Sequence, residues 1–190
     1  MQLQHKNDYN QNYKQSDKAS NITQGNLQVE SFKKELTERL IAEGRLEEAK
    51  KLIDSAISEN KDNNRQLAIW YDLKLQIAQK ENDLPAIRNI SFGFIAVRFN
   101  AKYYKIYRST FENGDLPKGI EKLIQSYERN SNNDSFNASI ADLLLAEKQE
   151  KRLMEYVEKH LSVDILEQYY KGFSSSFPEK TLELFRQVKK

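Results

Sequence analysis

From Phe32 to Val188 the apolar residues fall at three- and four-residue spacing in ten successive segments, and short corners interrupt them at intervals of about 30 to 40 residues. Two corners are spelled almost alike: ENDLPAI, Glu81 to Ile87, returns as ENGDLPKGI, Glu112 to Ile120. Each places an aspartate where a helix N-terminus wants a short acceptor, and a proline in the first turn, where its missing N–H costs nothing. Gly44-Arg45-Leu46-Glu47-Glu48-Ala49 is the same corner with acidic residues at the positive end of the helix dipole. Ser176-Phe177-Pro178-Glu179 and Lys148-Gln149-Glu150 are two more. No alternating apolar run bounded by hairpin turns suggests a strand.

This pattern predicts an all-α chain. The stripes are Phe32-Leu36-Leu40; Leu46 to Ile57; Leu67-Trp70-Leu73-Ile77; and Leu84-Ile87-Ile90-Phe94-Val97. They continue through Tyr103 to Phe111, Ile120 to Tyr127, Phe136 to Leu144, Leu153 to Leu161, Ile165 to Phe173 and Leu182 to Val188. The fourth also carries Phe92, Ile95 and Phe99 off its stripe, so it is expected to be the most buried helix. A single helical hairpin cannot hide both of its apolar stripes, so neighbours must stack. The expected architecture is a right-handed α-solenoid of about five stacked hairpins over residues 27–190. Trp70 and the Tyr and Phe residues of the third to fifth helices are then packing residues between repeats. The stretch before it, 1–26, is dominated by Gln, Asn, Lys and Ser, and is read as a disordered polar tail.

Composition narrows the functional classes. The 190 residues include 30 basic and 28 acidic side chains, a formal net charge of +2, which is not the one-sided field of a dedicated nucleic-acid binder. There is no cysteine, so disulfides, thiolate nucleophiles and Cys-ligated zinc are excluded, and a reducing, cytoplasmic location is expected. The longest uncharged run, Asn89 to Val97, is about half of a membrane span, and no basic patch followed by an apolar run opens the chain. The end at Val188-Lys189-Lys190 follows directly on an apolar segment, so either a continuing stack or a partner is expected to cover the last face.

Catalytic chemistry has little to build on. Of the two histidines, His5 lies in the tail and His160 near the end of the eighth helix, where an imidazolium favours the dipole. Neither phosphate-cradling glycine motif is present, nor a pair of histidines around a glutamate. The carboxylate pairs Glu35/Glu38, Glu47/Glu48 and Glu155/Glu158 lie among lysines, as helical surface ion pairs do. No catalytic, metal-binding or cofactor-binding residue is assigned, and the chain is expected not to be an enzyme.

RFNAKYYKIYRSTF, Arg98 to Phe111, interleaves basic and aromatic residues. On a helix starting near Asn100, Lys102, Lys105 and Arg108 share one side, with Tyr103 beside them as an aromatic anchor. Lys74, on the third helix, joins them as a candidate contact residue. An ordinary solvated basic face gives the same pattern. Two kinds of partner follow: an acidic protein or peptide docked on the concave wall, or a nucleic acid bound through helix 98–111.

The corner at Gly44 to Ala49 and its later versions resemble those of tetratricopeptide-type α-solenoids, although the consensus Trp, Gly and Tyr positions are not all filled. More narrowly, Trp70-Tyr71-Asp72-Leu73, Tyr103-Tyr104-Lys105, Leu153-Met154-Glu155-Tyr156-Val157 and Phe177 to Phe185 are similar to the helical repeat region of bacterial proteins that carry a SWIM zinc finger. This resemblance covers about Val29 to Lys190. The zinc motif needs cysteines, which this chain lacks, so it implies no zinc binding or DNA role. With no catalytic constellation in view, the expected function is a non-catalytic interaction scaffold that presents a concave helical-repeat surface.

Overall fold

The computed structural model describes residues 29–111, 114–130 and 135–188; the stretch 1–26, read above as a disordered tail, lies outside them. Among the described residues there are ten α-helices, one 3-10 turn and no strand. Helix α1 runs through 29–42, followed by α2 (Leu46–Glu59), α3 (Asn64–Glu81), α4 (Leu84–Ile95) and α5 (Ala101–Ser109). Then come α6 (Leu116–Arg129), α7 (Ala138–Ala146), α8 (Glu150–Lys159), α9 (Val163–Tyr169) with a 3-10 turn at Tyr170–Gly172, and α10 (Pro178–Val188). The chain divides into two compact units, one up to Glu81 and one from Asn82 onward.

The first unit holds α1 to α3. Leu40 and Ile41 from α1, Ala49, Ile53 and Ala56 from α2, and Trp70, Leu73 and Ile77 from α3 form its core. Lys33–Glu59, Lys50–Glu81 and Lys74–Asp54 ion pairs join these helices at the surface. The α1 stripe is not buried along its length, because Phe32 is 67% exposed and only Leu40, at its C-terminal end, enters the core.

The second unit holds α4 to α10, and α4–α5, α6–α7, α7–α8, α8–α9 and α9–α10 are packed pairs. One continuous core runs through it, from Ile95 and Tyr107 by way of Tyr127 and Leu143 to Phe173 and Leu184.

The corners between odd and even helices are built from a few repeated devices. Gly44 has φ +76°, and the bonds Arg45 N–H to Leu40 O (2.9 Å) and Gly44 N–H to Ile41 O (3.3 Å) close a Schellman turn on α1. Lys148 has φ +52° and repeats that turn on α7, with Gln149 N–H to Leu144 O (2.9 Å) and Lys148 N–H to Leu145 O (3.1 Å). The two Leu-Pro corners both sit at bends, before α4 and before α6, but they are not equivalent. Asp83 accepts the Ala86 N–H at 3.0 Å, whereas Asp115, already in helical backbone geometry (φ −93°, ψ −17°), makes no side-chain cap. An N-cap side chain reaches the first turn only from non-helical backbone, so identical letters yield one cap.

Helix α4 departs from the expected stripe. It stops at Ile95, leaving Val97 71% exposed, and Phe92 and Phe94 are only partly buried, so α4 is not the most enclosed helix. Ser126 Oγ, from α6, donates to Ala96 O at 2.9 Å, and Asn100 turns extended to cap α5 through the Lys102 and Tyr103 N–H groups. A carbonyl satisfied from a neighbouring helix and a strong following cap both favour ending the helix there. The ninth segment likewise tightens into its 3-10 turn after Tyr169, which delivers Phe173 fully buried.

Candidate binding surface

Helix α5 has two opposed faces. Tyr104 and Tyr107 are buried, while Lys102, Lys105 and Arg108 lie exposed on the other side. The three cations follow one another every three residues, so they form a single outward ridge about two turns long. Asn100, as the N-cap, fixes where the ridge begins.

The cations differ in their surroundings. Lys102 Nζ sits 4.7 Å from the Tyr103 ring centroid. Arg108 Nε donates to Glu147 Oε1 at 2.8 Å, and the Glu147 side chain is only 9% exposed, so the guanidinium is held against the end of α7. Lys105, between them, forms no ion pair among the described residues. Tyr103 is half-buried and stacks on Phe94, so its ring is already packed on α4 along one face. Of the five candidate contact residues, these four share α5; Lys74 belongs to the first unit, where it pairs with Asp54 at 2.8 Å.

Beneath the ridge the Tyr104 hydroxyl is buried close to the Glu147 carboxylate. Burial, and then the nearby Glu147 carboxylate, push its pKa well above the ordinary phenol value. Tyr107 is also raised by burial, partly offset by the Arg88 charge.

A second concavity, which sequence reasoning missed, lies on the other side of α5. Arg88 and Phe92 from α4, Phe111 after α5, and Lys118, Gly119 and Lys122 from α6 line a groove of about 220 Å³. Its floor is aromatic: the Tyr107 and Phe111 rings meet edge-on with centroids 4.9 Å apart. Arg88 lies 4.2 Å over the Phe111 ring and Lys122 4.7 Å over the Phe92 ring. Arg88 is fixed from behind, donating through Nε to Thr110 Oγ1 at 3.0 Å and through Nη2 to Thr110 O. Gly119 makes the floor possible, because a Cβ there would stand 2.5 Å from Phe111 Cζ. The sequence signals were a glycine inside a helical stripe and the Arg88/Phe92 and Lys118/Lys122 pairs at four-residue spacing.

His160 closes α8 and packs against Phe136 and Tyr156, with ring centroids 6.0 and 4.8 Å away. Among the described residues no group of three or more histidine, aspartate or glutamate side chains could hold a metal ion, and no helix is long and apolar enough to cross a membrane. The sequence matches no family model, and neither a curated protein nor a solved structure matches it.

Proposed function

We propose that this chain is a non-catalytic interaction module, a stack of helical hairpins in the manner of an α-solenoid, that docks an acidic protein or peptide on the basic ridge of α5. The observation that carries this reading is the ridge itself: Lys102, Lys105 and Arg108 exposed in register on one helix whose opposite face is buried core. A helix backbone already packed on its core needs no ordering on binding, and charge complementarity raises on-rate and specificity. The recurrent corners and the packing of α2 on α3, of α4 on α5 and of the successive helices from α6 to α10 support the solenoid part, in line with the resemblance to tetratricopeptide-type repeats.

The same helix carries the alternative partner, a nucleic acid. Base stacking needs open aromatic faces, but Tyr104 and Tyr107 are buried and Tyr103 is stacked on Phe94. This favours docking by charge alone. Binding of labelled oligo-glutamate and of a short labelled oligonucleotide, each measured over a salt series, tests the reading. Preferred binding of the peptide, weakened several-fold by Lys102→Glu and Lys105→Glu, is expected. Tighter binding of the oligonucleotide with a steep salt slope, or no binding of either at low salt, overturns it.

A further inference from the structure

The groove between α4, α5 and α6 has a chemistry that the basic ridge does not. Its walls bring three cations, Arg88, Lys118 and Lys122, and among the described residues no carboxylate lines it. The neighbouring acid is Asp115, 3.4 Å from Lys118, in a pair whose side chains are 68% and 86% exposed. A pair so solvated is weak and easily exchanged for another anion. Thr110 occupies two of the five N–H groups of Arg88, and the rest remain to be shared. Between these charges lie the rings of Phe92 and Phe111. An occupant must therefore present an anion and an apolar surface together.

Size decides its class. About 220 Å³ falls below the roughly 300 to 1,000 Å³ of pockets that enclose whole small ligands. It suits a side chain or two. We infer that this groove is a docking site for an acidic peptide segment, which lays a carboxylate among Arg88, Lys118 and Lys122 and an adjacent aromatic or aliphatic side chain on the Phe92–Phe111 floor. Charge complementarity selects the acid, and the glycine at 119 keeps the floor open by admitting the Phe111 ring. The inference rests on the reading of the chain as a binding module, but it uses a different surface from the α5 ridge.

The probe is a short fluorescein-labelled peptide of Glu and Asp with one central Phe, titrated with the full chain at low salt and followed by anisotropy. Lys118→Glu and Lys122→Glu, both exposed, are expected to weaken binding about tenfold each, and Lys122→Arg to keep it. Replacing the central Phe by Ser is expected to cost a further severalfold. Lys102→Glu with Lys105→Glu, which lowers the net charge by four, is expected to weaken this binding less than either groove variant, and the difference is expected to persist at about 0.15 M salt, where long-range attraction is screened. Circular dichroism checks that each variant is folded. The inference is overturned if the Lys118 and Lys122 variants bind like the parent, if the Phe is irrelevant, or if inorganic phosphate displaces the peptide at equal concentration. Loss of binding only in the Lys102/Lys105 variant would overturn it while leaving the ridge reading standing; no binding of any acidic peptide would end both.

Discussion

The Tyr103 ring lies flat on the Phe94 ring, centroids 4.0 Å apart and planes 7° from parallel. This stack clamps the start of α5 to α4, and so sets the orientation of the ridge that begins at Lys102. Offset aromatic pairs contribute about 0.5 to 1.5 kcal/mol beyond the area they bury. A double-mutant cycle with Phe94→Leu and Tyr103→Leu, followed by urea unfolding, is expected to return a coupling energy in that range. Additive single losses would mean the rings stack without holding anything.

Gly44 and Lys148 occupy the same position in two Schellman turns, at φ +76° and +52°. Left-handed backbone costs a residue with a Cβ roughly 1 to 2 kcal/mol, and glycine largely escapes that cost. Lys148→Gly is therefore expected to stabilise the chain by about 0.5 to 1 kcal/mol after the added freedom of the unfolded state is counted. Gly44→Ala should destabilise by about 1 kcal/mol. Denaturation midpoints at constant m-value check both signs.

The two Leu-Pro corners separate capping from sequence likeness. Asp83→Ala removes an acceptor for the Ala86 N–H and is expected to cost about 1 kcal/mol. Asp115→Ala removes no cap and should stay within about 0.5 kcal/mol of the parent. Equal losses at the two sites would refute the distinction.

Buried phenols make the second unit sensitive to alkali. Tyr104, Tyr127 and Tyr169 are all raised above the ordinary value of 10, chiefly by burial. Below pH 10 both folded and unfolded chains keep these hydroxyls neutral and the full stability is present. As pH rises past 10 the unfolded chain releases protons that the fold retains, so stability falls. Tyrosinate absorbance is expected to rise in two stages, the second coincident with loss of helix signal. Tyr104→Phe removes one of these raised phenols, so it should delay the second stage.

How much of this was readable in advance depends on how local each feature is. The ten helical segments, the corners at Leu84-Pro85 and Leu116-Pro117, and the start of α5 at Asn100 are set by residues within a turn or two, and the sequence foretold them. The exposure of Lys102, Lys105 and Arg108 followed from the same 3.6-residue period. The end of α4 did not, because it depends on Ser126, thirty positions on, whose hydroxyl donates the hydrogen bond that the Ala96 carbonyl accepts. Nor could spacing tell that Asp83 caps and Asp115 does not, a difference in backbone angle alone.

By itself, then, the amino-acid order decided that this protein is helical, where its bends fall and which flank of α5 carries charge, since periodicity and turn chemistry act over a few neighbouring residues. Only the tertiary structure decided that Tyr103 is spent on Phe94, that Arg108 is held by Glu147, and that Arg88, Lys118 and Lys122 converge over Phe92 and Phe111. Those juxtapositions join different helices, and which residues meet there depends on how side chains of complementary volume interlock, down to the missing Cβ at Gly119.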